Sequence, residues 1–115
     1  MNAWKRWHAI FGVLAFAAPL FVYLRTLTVT VPFWDSGEYI ATSFILGLPH
    51  PPGNPVYTML GRMLTLIPVA SVAQRVNFMS ALSSAIACYF TYLIVVRALR
   101  RTFEERLDQI GRAHV

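Results

Sequence analysis

The sequence has little charge and almost no cysteine. Lys, Arg, Asp and Glu together make up 13% of its 115 residues, about half the usual share of a soluble domain. Because Cys88 is the single cysteine, the chain can form neither an internal disulfide nor a cysteine cluster for a metal ion. Only five residues are acidic, so acids that lie close together beside an apolar run are notable.

Apolar residues are in excess, at 57% of the chain. A chain this short cannot hide so much apolar surface from water, which indicates a membrane protein. The net charge of +5 is typical of some nucleic-acid-binding proteins, but here the basic residues lie beside the apolar runs and do not form a basic reading surface. We therefore expect no nucleic-acid partner.

The first apolar run extends from Ala9 to Leu24, after Lys5 and Arg6. It is shorter than the roughly 20 residues that span a bilayer, but Arg25 can extend to the interface. A signal peptide is the alternative, because Ala15-Phe16-Ala17 resembles a cleavage site. Cleavage there would leave too short an apolar core, so we favour an uncleaved anchor.

The second apolar run, Phe78 to Val96, is long enough to span a bilayer. Small residues recur along it at helical spacing, which lets another helix approach closely; they are Ala81, Ser84, Ala85 and Cys88. Basic residues concentrate before the first run and after the second, at Lys5, Arg6, Arg97, Arg100, Arg101 and Arg106. The positive-inside rule therefore predicts cytoplasmic termini and an outward-facing loop.

These patterns predict an all-α membrane protein in which two transmembrane helices are joined by an extracytoplasmic loop with short amphipathic helices. The last residues resemble the translation of a sequencing adapter, so we expect the reading frame to continue past Gln109 and the fold to be a fragment of a larger one. The predicted segments are a cytoplasmic N-terminus (1–8), the first transmembrane helix (9–30), the loop (31–74), the second transmembrane helix (75–97), a cytoplasmic helix (98–109) and the adapter-like tail (110–115).

The loop contains two acids and a histidine, Asp35, Glu38 and His50. The spacing of Asp35 and Glu38 matches a capping box at the start of a helix, which needs no function. The alternative is that Asp35 is a general base at the membrane surface. On spacing alone the cap is favoured, His50 is more typical of a hydrogen-bonding scaffold, and a divalent ion held by all three is weakly indicated.

Two arginines, Arg62 and Arg75, lie where the loop should return to the membrane. Either can contact a lipid phosphate through its guanidinium. The commoner role of such arginines is to anchor a chain at the interface.

Four segments recur in this order in one family, and the chain resembles the N-terminal part of that family, DUF2723, whose members resemble protein O-mannosyltransferases of the GT-C class. The match extends from Trp4 to Arg101, and Asn54 is a departure from the family pattern. The segments are Phe33 to Ala41, His50 to Tyr57, Gly61-Arg62 and Arg75 to Leu82.

The resemblance implies a polytopic enzyme, in a bacterial inner membrane, that transfers a sugar, mannose, from a polyprenyl-phosphate donor to a Ser or Thr hydroxyl of an acceptor protein. It implies that Asp35 is the general base and that the reaction inverts the anomeric carbon. Glu38 and His50 would shape the site, and Arg62 or Arg75 would neutralise the leaving phosphate. The expected partners are the lipid-linked donor, the acceptor protein, the membrane and further transmembrane helices. No metal ligand is assigned, although a divalent ion is possible.

Two other classes of function stay open. The first is a non-enzymatic two-span subunit that scaffolds a partner protein through the small-residue stripe. The second is a transporter, which fits less well because Asp35 and Glu38 lie outside the spans and transporter sites form near the membrane midplane.

Overall fold

A computed structural model describes residues 3–113, and within that range the chain is helical with no strand. The prediction of an all-α protein is confirmed. The four helices are α1 (Ala3–Arg25), α2 (Ser36–Ile45), α3 (Pro55–Thr65) and α4 (Val72–Ala113).

The helices α1 and α4 are long and apolar enough to cross a membrane. In the most apolar 18-residue stretch of α1 only 6% of the residues are buried, and in that of α4 only 17%. A core helix of a soluble protein would bury its apolar residues, so this exposure favours lipid as the surrounding solvent. The structure therefore contains two candidate membrane-spanning helices, as the sequence predicts.

The bounds of the first helix differ from the predicted span at 9–30. The helix begins at Ala3 and ends at Arg25. The hydroxyl and the backbone N–H of Thr26 both donate to Val22 O, at 2.9 and 3.0 Å. The following run from Leu27 to Val31 is rich in β-branched residues, which favour helices less than straight side chains do.

The second span also differs, because 75–97 and 98–109 are parts of one continuous helix, α4. No proline lies within α4 to break it, and Arg100 Nε donates to Glu104 Oε1 at 2.8 Å one turn later. The backbone stays helical through Ala113, and residues 114–115 of the adapter-like tail lie outside the described residues. The origin of that tail stays a prediction.

The chain divides into two compact units, one formed by residues 1–19 and 85–115 and the other by residues 20–84. In the first unit, a Cβ atom placed on Gly12 would come within 3.4 Å of the rings of both Tyr89 and Tyr92. Tyr92 also donates its hydroxyl to His8 O at 3.0 Å. Glycine therefore lets two aromatic rings approach the α1 backbone.

In the second unit, α2 and α3 pack through small and polar residues. Ser43 is fully buried, and a Cβ atom on Gly61 would meet the Ser43 side chain, 2.8 Å from its Cβ. The opposite face of α3 is apolar and exposed, with Val56 at 70% and Met63 at 65%. Exposed apolar side chains of this kind suit a surface that meets lipid.

We expect Gly61→Leu to destabilise the packing of α2 on α3. The leucine side chain would overlap Ser43, and overpacking of this kind costs about 1–3 kcal/mol. Thermal unfolding in detergent micelles, followed by circular dichroism, should show a lower midpoint. Met59→Leu on the exposed face of α3 is the control and should leave the midpoint near that of the wild type. Equal midpoints for Gly61→Leu and the wild type would contradict the close approach.

Candidate active site

The structure brings Asp35, Glu38 and His50 together at the start of α2. Asp35 is the residue before the helix, Glu38 lies in its first turn, and His50 lies in the loop that leads to α3. One oxygen of each acid and one ring nitrogen of the histidine all lie within 4.8 Å of one another. The three side chains proposed to be catalytic therefore form one cluster.

The capping-box interpretation of Asp35 and Glu38 is wrong. Asp35 has φ −71° and ψ −2°, and its side chain makes no capping hydrogen bond within the described residues. A capping residue instead has extended backbone and accepts a bond from the first turn. The Asp35 side chain is 61% exposed, so its carboxylate is available to other groups.

Glu38 binds His50 with both carboxylate oxygens. Oε1 accepts the backbone N–H of His50 at 2.6 Å, and Oε2 lies 2.7 Å from His50 Nδ1. Because an ionised carboxylate only accepts, Nδ1 carries the proton in this contact. The other ring nitrogen, Nε2, lies 3.9 Å from Asp35 Oδ2. His50 is thus held by one acid and faces the other.

These contacts shift two pKa values in opposite directions. The side-chain hydrogen bond from His50, followed by its backbone hydrogen bond, lowers the pKa of Glu38. The hydrogen bond to Glu38, its negative charge and, to a smaller extent, the charge of Asp35 raise the pKa of His50. The ion pair therefore forms above the lowered pKa of Glu38 and is lost as the pH rises through the raised pKa of His50.

We expect Glu38→Gln to lower the pKa of His50 towards the ordinary histidine value of about 6.5, because the variant removes the largest cause of the shift. Asp35→Asn should lower it less, since Asp35 acts only through its charge. The measurement is a pH titration of the carbon-13-labelled imidazole by NMR in micelles. An unchanged His50 titration in Glu38→Gln would contradict the described contact.

Asp35 also lines a cavity of about 650 Å³ in the unit of residues 20–84. Hydroxyl and amide groups from several elements border it. Asn54 Nδ2 donates to the Tyr39 hydroxyl at 2.7 Å, and the hydroxyls of Tyr57 and Ser80 lie 3.2 Å apart. The rings of Tyr39 and Tyr57 meet edge to face with centroids 5.4 Å apart. The cavity wall is therefore a connected set of aromatic and hydrogen-bonding side chains.

Trp34 is a cavity residue that the sequence analysis did not select. Its side chain is 95% exposed and its φ is +66°, in the left-handed region that non-glycine residues rarely adopt. Strain of this kind is concentrated at functional sites. The available signal was its position directly before Asp35 in the recurring segment.

The sequence analysis also missed Tyr39, Asn54, Tyr57 and Asn77 as residues of the cavity. Asn77 Nδ2 donates to Thr28 O at 2.9 Å and to Thr30 O at 3.3 Å, which fixes the segment that precedes Asp35. All four residues lie in the recurring segments, which was the signal that could have identified them.

The two predicted substrate-binding arginines do not join this cluster. Arg62 donates through Nη1 to Phe44 O, and its guanidinium lies 5.8 Å from the centroid of the Phe44 ring. Arg75 donates to the carbonyl groups of Thr65, Ile67 and Ser71. Neither lines the cavity of Asp35, and their roles in binding stay predictions.

The family described as the N-terminal domain of protein O-mannosyl-transferase TMEM260 matches residues 35–114. The chain belongs to this family. The match begins at Asp35 and includes Glu38 and His50. The resemblance to protein O-mannosyltransferases is therefore confirmed at the level of the family.

Two relatives are similar to most of the chain. Protein O-mannosyl-transferase TMEM260 of Mus musculus is 40% identical over 87 residues, which cover 75% of this chain and 12% of the relative. Protein O-mannosyl-transferase tmem260 of Dictyostelium discoideum is 38% identical over 86 residues, which cover 72% of this chain and 10% of the relative. The chain thus corresponds to about a tenth of each relative, and no solved structure matches it significantly.

Proposed function

We propose that the chain is the N-terminal segment of a membrane glycosyltransferase of the GT-C class. The enzyme would transfer mannose from a polyprenyl-phosphate donor to a Ser or Thr hydroxyl of an acceptor protein, with inversion. Asp35 would be the general base. The observation that carries this proposal is the exposed Asp35 carboxylate, which makes no capping bond in the described chain, at the wall of a polar cavity.

The proposed reaction makes one bond and breaks one. The acceptor hydroxyl oxygen attacks the anomeric carbon of the sugar while its proton passes to an Asp35 carboxylate oxygen. The bond from the anomeric carbon to the phosphate oxygen breaks, and the lipid phosphate leaves with the electron pair. A carboxylate is a weak base, so much of the rate must come from positioning the reactants.

Glu38 and His50 would orient the base. The two hydrogen bonds to Glu38 fix the imidazole ring, whose Nε2 then lies 3.9 Å from Asp35. When His50 is protonated, its positive charge attracts the Asp35 carboxylate and restricts its position. Both residues are therefore proposed as positioning residues, not as groups that react.

The same three side chains would also suit a divalent ion. His50 Nε2 and an oxygen of Asp35 are the atoms best suited to bind it, with Glu38 holding Nδ1 as a carboxylate commonly does behind a histidine ligand. Such an ion would supply positive charge for the donor phosphate. It is not required by the proton transfer to Asp35.

The proposed site would face outwards. The positive-inside rule favours cytoplasmic termini, and a bacterial inner membrane is the proposed location. The loop of residues 31–74, which contains α2 and α3, would then meet the lipid-linked donor and the acceptor protein at the outer surface of the membrane. Further helices of the complete protein would complete the fold.

We expect Asp35→Asn, made in the complete protein that carries this segment, to lower sugar transfer by about 10²–10⁴-fold. The asparagine has a similar shape but does not accept the proton. Transfer of labelled mannose to an acceptor peptide measures the effect, and resistance to alkaline extraction from membranes shows that the variant is inserted.

Glu104→Gln is a matched control, because it converts another exposed acid, which pairs with Arg100, to its amide. This control should transfer sugar at the wild-type rate. Normal transfer by Asp35→Asn would remove Asp35 from the role of base. The scaffold alternative would then predict loss of function on enlarging Ala85, which is fully buried.

A further inference from the structure

A cavity of about 560 Å³ lies between α1 and α4, within the unit formed by residues 1–19 and 85–115. Its volume is within the range of small-molecule sites, and most of its lining is apolar. The lining includes Ala9, Gly12 and Phe16 from α1 and Tyr89 and Leu93 from α4. None of its residues borders the candidate active-site cavity, so sugar transfer at that site does not account for it.

Contacts between the two helices shape this cavity before any ligand binds. The Tyr92 hydroxyl donates to His8 O at 3.0 Å and lies 2.7 Å from His8 Nδ1, which therefore donates to the hydroxyl. The two rings stack with their centroids 5.4 Å apart. One turn further along α1, Gly12 lies beside the ring of Tyr89. Residue numbers rise along α1 as they fall along α4 in these contacts, so the two helices are antiparallel in this unit.

The helix faces that line the cavity continue to basic residues at one end. On α1, Lys5 lies one turn before Ala9. On α4, Arg97 lies one turn after Leu93, and residues four apart share a helix face. Lys5 and Arg97 lie about 5 and 8 Å along their helix axes from the contact between the two stacked rings. Because the helices are antiparallel, both displacements have the same direction, so one cation from each helix lies at the same end of the cavity.

These two cations have no acidic partner among the described side chains. Lys5 and Arg97 are both exposed. The neighbouring Arg100 is neutralised by Glu104, whose Oε1 lies 2.8 Å from its Nε. Arg97 is instead followed one turn later by Arg101, and like charges at this spacing repel each other. An anion beside Arg97 would offset that repulsion, so this end of the cavity suits a negatively charged group.

We propose that the cavity holds an acyl chain of an anionic phospholipid and that Lys5 and Arg97 bind its phosphate. The apolar walls lie between two helices whose apolar stretches are largely unburied, where acyl chains are the surrounding solvent. The cations lie at the end where such a chain would join its head group. Basic pockets between transmembrane helices bind the head groups of anionic lipids by the same combination of contacts.

The test measures binding of phosphatidylglycerol to the purified chain in neutral-detergent micelles by native mass spectrometry. Phosphatidylcholine with the same acyl chains is the matched control lipid, because it has the same phosphate but no net charge. We expect saturable binding of one phosphatidylglycerol molecule and about tenfold weaker binding of phosphatidylcholine. Equal affinities for the two lipids would overturn the proposal.

Three variants locate the head-group site. Lys5→Gln and Arg97→Gln should each weaken binding of phosphatidylglycerol by about fivefold, which is the usual contribution of one basic residue close to anionic lipid. Arg106→Gln is the matched control, since it removes an exposed arginine of α4 that lies nine residues after Arg97, on the opposite face of the helix. This control should bind within about twofold of the wild type. Equal losses in Arg97→Gln and Arg106→Gln would indicate attraction to the net charge alone and overturn the site.

Ala9→Trp tests the position of the acyl chain. Ala9 is exposed and lines the cavity, so a tryptophan there should fill the cavity and weaken binding while both cations stay in place. Wild-type affinity in this variant would contradict the proposal. Circular dichroism shows whether it is folded, and if it is not, the two charge variants decide the question.

The same measurement on the complete protein separates a lipid from a protein occupant. Binding of phosphatidylglycerol by the chain that is lost in the complete protein would assign the cavity to a further helix and overturn the proposal. Retained binding that is weakened by Lys5→Gln would support it. Sugar transfer is not measured, so a failure of Asp35 as the base would not affect this result.

Discussion

The two hydrogen bonds between Glu38 and His50 are the interaction on which the arrangement of the candidate site depends. They connect the first turn of α2 to the proline-rich loop that precedes α3, and they use both oxygens of the carboxylate. Because Glu38 is committed to His50, it cannot complete a capping box with Asp35. Asp35 makes no capping bond in the described chain and is exposed at the edge of the cavity, and His50 presents its second nitrogen to it.

The same interaction explains why the sequence alone predicted the cluster only in part. The apolar runs identified the two long helices, since each run lies within a single segment of the chain. The spacing of Asp35 and Glu38 was compatible with a cap, but it carries no information about a partner twelve residues further on, where His50 lies. Glu38 bonds His50, a tertiary contact, and the local capping bonds expected between Asp35 and Glu38 do not form in the described chain.

The contacts of the arginines were hidden for a similar reason. Arg62 and Arg75 were expected at the interface or at a phosphate, yet each binds backbone carbonyl groups from another segment. Every residue has a backbone carbonyl, so the sequence does not indicate which carbonyl an arginine will bind. Asn54 was noticed only as a departure from the family pattern, and its bond to the Tyr39 hydroxyl shows a structural use for that amide.

The polarity of the unit formed by residues 20–84 suits a protein surrounded by lipid. Buried Thr42, Thr58 and Thr65 donate their hydroxyls to carbonyl groups one turn earlier, so they can be enclosed without loss of hydrogen bonds. Small residues then let α2 and α3 approach closely, as Ser43 and Gly61 do. Larger apolar side chains such as Val56 and Met63 are left outside, where acyl chains accept them at little cost.

The separation of charges within this unit is consistent with transfer of a group from a phosphate. An accessible carboxylate and an unpaired guanidinium would neutralise each other if they met, and neither would then be available to a substrate. Asp35 lines the cavity described above, Arg75 does not, and the two form no ion pair in the described part of the chain. In the proposed reaction the acceptor hydroxyl loses a proton, and negative charge develops on the phosphate of the donor. A base and a cation kept apart in this way complement both changes.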